Sequence, residues 1–328
     1  MDSLLSLLLF PLQSILQIHS GTLLFLDSLL EPFAYEFFRN AILVSVLVGG
    51  VCGLMGVYIV LRGMSYIGHG MSHAIFGGAV VSYIAGFNFY LGAAVWGFVS
   101  AYLINDIARR NKIKADAAIG VVTTAGFAIG VLLISTTRSY TRNFEALLFG
   151  NILGITDQDL AVIMLVTCIT AIFIFFCQKR LLFTLFDKET AKVYGVRTDL
   201  VELIFSLILA AVVIASMSSV GVTLIAAAIV APAISARMLT NNFMKMVIAS
   251  TIIGILTAFL GMYSSYFLDS ASGATIVLFG TASFGVSSLY AYIRRLYQTH
   301  SHEKFIRHSH PHIHEGEHMH KHRSVSDS

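Results

Sequence analysis

Residues 63–105 read GMSYIGHGMSHAIFGGAVVSYIAGFNFYLGAAVWGFVSAYLIN and contain no Asp, Glu, Lys or Arg. This run is too long for one membrane-spanning helix, which needs about 20 mostly apolar residues. The segment GFN at 86–88 therefore predicts a break between two helices. His69 and His73 lie on the first of these helices, four residues apart, so both imidazoles share one helix face. Polar side chains inside a membrane usually face a cavity or a partner.

The two histidines are predicted to line the path of a metal ion. Imidazole nitrogen is a good ligand for Zn, Cu, Fe and Ni. The alternative is helix packing, in which each ring bonds a backbone carbonyl or the hydroxyl of Ser65 or Ser72. A pair spaced i, i+4 and flanked by glycines favours transport over packing. The glycines are Gly68, Gly70, Gly77 and Gly78.

The composition places the whole chain in a membrane. Its 328 residues are 56% apolar and 12% charged, with a mean hydropathy of +0.79, whereas a soluble domain carries about 25% charged residues. The predicted fold class is therefore an all-α integral membrane protein with about eight or nine transmembrane helices. The predicted spans are Ala41–Leu61, 66–86, 90–108, Ala117–Thr137, Leu160–Gln178, a helix pair within Leu203–Ala236, Met246–Leu268 and Ser270–Ile293.

The distribution of Lys and Arg predicts the orientation, because these residues concentrate in cytoplasmic loops. If the first span runs from outside to inside, Arg39, Arg138 and Arg142 lie on the outer side. Twelve basic residues then lie inside: Arg62, Arg109, Arg110, Lys112, Lys114, Lys179, Arg180, Lys188, Lys192, Arg197, Arg237 and Lys245. This asymmetry predicts a multi-pass protein of the bacterial cytoplasmic (inner) membrane with a cytoplasmic C-terminus.

A short cytoplasmic helix is predicted at 187–196, where DKETAKVYGV ends in a helix-stopping Gly195. The chain has no Gly-x-x-x-x-Gly-Lys-Ser/Thr loop for phosphate, so it is not predicted to be an enzyme and ATP hydrolysis would need a partner. The net charge of +3 indicates no nucleic-acid partner, and lipid is the expected surrounding. The three cysteines fall in apolar runs and predict neither disulfides nor a metal site.

Two segments flank the predicted transmembrane domain of residues 37–296. Residues 1–36, broken by Pro11, predict an interfacial or extracytoplasmic arm, with a spanning helix as the alternative. Residues 297–328 predict a disordered cytoplasmic tail that buffers or senses metal, with a merely solvated tail as the alternative. This tail holds nine of the twelve histidines: His300, His302, His308, His310, His312, His314, His318, His320 and His322.

Several stretches, in the same order along the chain, resemble the permease subunits of bacterial ABC importers for zinc and manganese. The resemblance covers residues 33–296. The run from Arg62 to Ala74 resembles the second-helix motif of that family, and Asp187–Val196 resembles its coupling helix. Three further stretches are similar to its cytoplasmic loop, its pore-side helix and its last outer loop: Lys114–Gly120, Val220-Gly221 with Ala231-Pro232-Ala233 and Ala236-Arg237, and Asp269–Gly273.

This resemblance implies an ABC importer permease fold similar to the vitamin B12 and metal-chelate type. It also implies a permease homodimer with the pore at the interface, two cytoplasmic ABC ATPase subunits and an extracytoplasmic metal-binding protein. No permanently bound cofactor is expected, because the divalent metal is the cargo. The residues that would couple the permease to the ATPases are Asp187, Lys188, Glu189, Ala191, Tyr194 and Gly195.

One position departs from the family pattern. The family places Asp and then His on the second helix, four residues apart; here His73 matches the His, and His69 replaces the Asp. Two neutral imidazoles favour Zn(II), whereas Mn(II) prefers carboxylate and water oxygen. Zinc is therefore the expected cargo, with manganese or iron next.

Three alternatives differ in what the membrane helices should contain. A secondary metal transporter needs acidic ligands in mid-membrane, and the predicted spans contain almost none. An ABC permease for a metal chelate shares the architecture but needs a wide pore without ligands. An intramembrane metalloprotease would carry His-Glu-x-x-His, and here Gly70 follows His69, so the general base is missing.

Overall fold

The computed structural model describes residues 29–64, 66–110, 115–137, 148, 150 and 154–305, and within these ranges the regular structure is helical. A short 3-10 turn at Glu31–Ala34 precedes ten α-helices. These are α1 (Glu36–Leu61), α2 (Tyr66–Ile84), α3 (Phe89–Arg110), α4 (Ala115–Thr137), α5 (Asp157–Phe186), α6 (Lys188–Val193), α7 (Thr198–Val220), α8 (Ile225–Leu239), α9 (Phe243–Leu268) and α10 (Ser272–Phe305). The predicted all-α class is confirmed.

Seven of the described helices are long and apolar enough to cross a membrane: α1, α3, α4, α5, α7, α9 and α10. The predicted second span, α2, is present but interior: most of its residues are buried against its neighbours. The predicted pair of membrane-spanning helices within residues 203–236 is found only in part. Helix α8 has 15 residues, and at 1.5 Å per residue it extends about 22 Å, short of the roughly 30 Å hydrocarbon layer.

Small residues set the helix spacing, as expected for helices that pack within lipid. Gly49 of α1 lies against Gly254 of α9, and the Ser250 hydroxyl donates a hydrogen bond to the carbonyl of Gly53 over 2.6 Å. On the other side of the molecule, Gly77 of α2 lies against Gly126 of α4. These contacts hold α2 against α3 and α4, and α1 against α8 and α9.

Several predicted boundaries shift. Helix α5 is longer than the predicted span, and α10 continues to Phe305, past the predicted start of the tail at 297. Asp269 follows the last residue of α9 and lies in the short turn before α10, in the left-handed conformation with φ of 47°. At the other end, the Tyr263 hydroxyl donates to the carbonyl of Leu29, which ties residues 29–34 to α9. Most of the predicted arm, residues 1–28, lies outside the described residues.

Candidate metal path

His69 and His73 occupy the first two turns of α2, and their rings touch. The ring centroids are 4.4 Å apart with an interplanar angle of 81°. Their Nε2 atoms are 3.2 Å apart, within hydrogen-bond distance. One neutral imidazole therefore donates its Nε2–H to the lone pair of the other. The predicted meeting of the two rings on one helix face is confirmed.

The chain turns tightly before this pair. Gly63 adopts φ of 69°, a left-handed conformation that favours glycine. The amide of Met64 donates to the carbonyl of Ile59, and the amide of Ile67 donates to the carbonyl of Met64. The turn thus leads directly from the end of α1 into α2. Helix α2 then packs mainly against α3 and α4.

Packing places the partly exposed ring of His73 against α4. Its ring meets the Phe127 ring at 4.8 Å between centroids and 80° between planes. Phe127 lies near the midpoint of α4, a candidate membrane span. The contact therefore places His73 near the middle of the apolar layer. Its Nδ1 atom is buried and has no hydrogen-bond partner.

The alternative of simple packing predicted ring contacts to backbone carbonyls or to serine. Ser72 does bond within this helix, but its hydroxyl donates to the carbonyl oxygen of His69 and not to a ring. The imidazoles bond each other instead. The two Nε2 atoms are therefore the atoms through which the rings meet.

The separation of these two nitrogens suits one shared metal ion. Bonds of about 2.0–2.1 Å from each Nε2 to zinc would close an N–Zn–N angle of about 100° across the 3.2 Å gap. This angle is near the tetrahedral value, so the pair could chelate an ion with little rearrangement. A metal that forms longer bonds to nitrogen would have a smaller N–metal–N angle at the same 3.2 Å separation. The separation therefore fits several ions, and the type of ligand is the better guide to which ion binds.

The pair is an open half-site. Among the described residues, no group of three or more His, Cys, Asp or Glu side chains could hold a metal ion. Both histidines are partly exposed, and the neighbouring Tyr66 is exposed, so the site opens at the molecular surface. Two ligands on an open side can bind an ion weakly and release it, whereas a closed four-ligand site would retain it.

The predicted coupling segment forms α6, capped at its start by Asp187. The Asp187 carboxylate accepts a hydrogen bond from the Thr190 amide over 2.9 Å and another from the Thr190 hydroxyl. These bonds hold the pKa of Asp187 below its usual value. After the helix, Gly195 adopts φ of 78° and ends it as predicted.

Helix α6 is anchored on one side and exposed on the other. Ala191 is fully buried against the bundle. Val193 and Tyr194 are 85% and 76% exposed, which is unusual for large apolar side chains and typical of a docking surface. A hydrogen bond from Lys192 to Glu189, 3.0 Å long, raises the pKa of Lys192 and links two further exposed residues.

The predicted tail ligands lie at or beyond the edge of the described chain. His300 and His302 fall within the last turns of α10. The other seven histidines of the tail, His308 to His322, lie outside the described residues. The predicted metal-binding role of the tail stays a prediction.

Sequence reasoning missed three functional neighbours of these sites. Phe127, whose ring packs against His73, was not singled out in the sequence. Arg62 and Glu202 form an ion pair beside α6. Their signal was available: each is a lone charge next to a long apolar run, where an isolated charge needs a partner.

Comparison with known proteins gives the family. The ABC 3 transport family matches residues 34–291. The manganese transport system membrane protein MntC of Listeria monocytogenes is 36% identical over 269 residues, which cover 82% of this chain and 95% of MntC. The chelated iron transport system membrane protein YfeC of Yersinia pestis is 32% identical over 259 residues, which cover 79% of this chain and 88% of YfeC.

Solved structures agree with the fold. A chain of PsaBC from Streptococcus pneumoniae, solved in complex with Fab, matches with a TM-score of 0.72 and 33% identity, over 80% of this chain and 95% of that one. An inward-facing metal-chelate type ABC transporter matches with a TM-score of 0.63 and 17% identity, over 77% of this chain and 85% of that one. The second similarity concerns the fold alone.

These matches confirm the predicted fold and the resemblance on which it rested. The relatives are membrane transport components and not enzymes, as the missing phosphate loop indicated. Apolar helices and membrane relatives together make this a multi-pass inner-membrane protein. The chain is a permease subunit and belongs to the ABC 3 transport family.

Proposed function

We propose that this permease imports a divalent transition-metal cation and that His69 and His73 line its path. The observation that supports this most directly is the 3.2 Å separation of the two Nε2 atoms, which suits a shared ion. The relatives named for manganese and for iron transport support the same class of cargo.

The half-site is completed by a second copy of the chain. Two pairs of imidazoles facing each other across a homodimer axis would give four nitrogen ligands to one ion. The coordination would exist only while the two copies are close, so the ion could be released when they rock apart. Each protomer then needs only the two ligands that the described residues provide.

The partners follow from the family and from α6. Two cytoplasmic ABC ATPases supply the energy, and an extracytoplasmic metal-binding protein delivers the ion. The exposed Val193 and Tyr194 provide an apolar surface for an ATPase. The orientation from the Lys and Arg bias places α6, and the C-terminal tail, in the cytoplasm.

Zinc is the proposed cargo by ligand chemistry, and iron is the next candidate. Imidazole suits both Zn(II) and Fe(II), whereas Mn(II) prefers oxygen ligands. The relatives are named for manganese and for iron transport. Iron is therefore the ion that agrees both with the imidazole ligands and with the names of the relatives. A competition experiment between the three ions decides among them.

The test is ATP-driven uptake of Zn, Mn and Fe, alone and in competition, by the full complex in proteoliposomes. The His73→Ala variant should lower uptake at least about tenfold, since it removes one of two ligands. Val81→Ala, an exposed site on the same helix, is the matched control and should transport normally. Near-normal uptake by His73→Ala would remove the histidines from the path.

Two further results would reassign the protein. Equal uptake without nucleotide would indicate a secondary transporter. Uptake only of a chelated metal, with no transport of the free ion, would indicate a chelate permease.

A further inference from the structure

Glu202 joins three separate elements through its two carboxylate oxygens. Its Oε1 lies 2.5 Å from Nη2 of Arg62, the residue that ends α1. Its Oε2 accepts a hydrogen bond from Nζ of Lys188, the first residue of α6, over 2.6 Å. Glu202 itself lies in the second turn of α7. One side chain thus connects α6 to the end of α1.

The surroundings make this linkage stronger than a surface ion pair. The side chains of Arg62 and Glu202 are only 22% and 17% exposed. The Arg62 guanidinium also lies 5.9 Å from the centre of the Phe205 ring. Charges in such a partly apolar setting are poorly screened, so the loss of one leaves the others unpaired at a cost.

Arg62 lies four residues before the start of α2, the helix that carries the histidine pair. The next residues form the tight turn held by the Met64 and Ile67 amides. Helix α2 begins at Tyr66 and carries His69 in its first turn. We therefore expect a displacement of Arg62 to reach α2 through this short connection.

A small cavity beside the ion pair leaves room for it to rearrange. The cavity has a volume of about 20 Å³ and is lined by Tyr58, Arg62, Leu181, Thr184, Glu202 and Phe205, among others. The hydroxyls of Tyr58 and Thr184 are buried and lack hydrogen-bond partners. Both hydroxyls line the same cavity as Glu202.

We propose that Glu202 transmits the movement of α6 to the metal path, by holding Lys188 and Arg62 together in one conformation and releasing Lys188 in the other. Glu202 is a positioning residue in this scheme, since it lies beside α6 and the turn and does not touch the cargo. The inference rests on the proposed function, in which α6 is the helix that the ATPases contact. It predicts that loss of the carboxylate uncouples ATP hydrolysis from transport.

The experiment measures ions imported per ATP hydrolysed by the full complex in proteoliposomes. Glu202→Gln should keep hydrolysing ATP while this ratio falls by about fivefold or more, the range of a coupling free energy between sites. Asp199→Asn is the matched control: Asp199 is another carboxylate near Lys188, at 3.5 Å, and is about half exposed. Its ratio should stay within about twofold of wild type, as for an exposed ion pair.

The outcomes separate this inference from the proposed function. If the wild-type complex carries no metal ion with ATP, the proposed function fails. If the wild type transports and Glu202→Gln keeps the wild-type ratio, the linkage is wrong and the function stands. A merely structural role would lower hydrolysis, transport and thermal stability together, which also contradicts the proposal. If Glu202→Gln does not assemble, Glu202→Asp replaces it, because the shorter acid cannot reach both cations and should lower the same ratio.

Discussion

The imidazoles of His69 and His73 share one proton between their Nε2 atoms. A metal ion that enters the site must displace this proton, because a protonated nitrogen has no lone pair to donate. The pair thereby exchanges a hydrogen bond for a metal bond without moving far. A neutral imidazole can carry that proton on its own Nδ1 instead, so metal binding requires a change of tautomer and no net release of a proton.

The charge of the site is the property that replacing His69 would change most. His69→Asp adds a carboxylate oxygen and a negative charge, which Mn(II) prefers over a second imidazole. The Mn-to-Zn uptake ratio in competition should rise by about tenfold, equivalent to about 1.4 kcal/mol. His69→Asn is the control, since it has nearly the same shape without the charge. A ratio that is equal in His69→Asp and wild type would contradict the proposed role of this position in ion choice.

At the scale of helices, α2 is held between neighbours that approach its backbone closely. A Cβ atom on Gly77 would overlap the carbonyl oxygen of Gly126 on α4. A Cβ on Gly78 would overlap Trp96 of α3. Gly77 lets α4 come near enough for Phe127 to pack against His73, and Gly78 lets α3 approach in the same way, so the geometry of the site depends on helix spacing.

Gly77→Ala should therefore destabilise the protein by about 1–3 kcal/mol, the usual cost of overpacking. The melting temperature of the purified protein in detergent measures this change. Gly120→Ala on α4 is the matched control, because a Cβ there meets nothing within 4 Å. Alanine should then be neutral or stabilising by about 0.5–1 kcal/mol through helix propensity. Equal melting temperatures for the two variants would show that α4 can move away without cost.

At the scale of the whole molecule, α10 is the helix that connects the described bundle to the histidine-rich tail. Helix α10 runs to Phe305, beyond the predicted membrane boundary. The tail histidines from His308 onward follow it in the sequence. The tail is accordingly proposed to act on metal that has already reached the cytoplasm.

Deletion of residues 306–328 tests this assignment and leaves α10 intact. The initial rate of metal uptake by the complex should stay within about twofold of wild type, as expected for a tail that binds metal only loosely. A full-length variant with the seven distal histidines changed to serine separates loss of ligands from loss of length. Abolished uptake in both variants would make the tail part of the transport machinery.

The sequence by itself determined the helical membrane class, the pairing of His69 with His73 and the short helix that Gly195 ends. These features follow from local composition and spacing, which a single helix expresses wherever it packs. It also supported the family, because several motifs occur in the expected order.

Only the tertiary structure decided the 3.2 Å separation of the two imidazole nitrogens and the packing of the His73 ring against Phe127. It also decided that Glu202 bonds both Lys188 and Arg62. It also showed that α8 is too short to span and that Asp269 ends a helix. Phe127 and Glu202 lie far along the chain from the residues they contact. Their contacts depend on how separate helices approach one another, and that approach is set by packing that no local pattern of residues encodes.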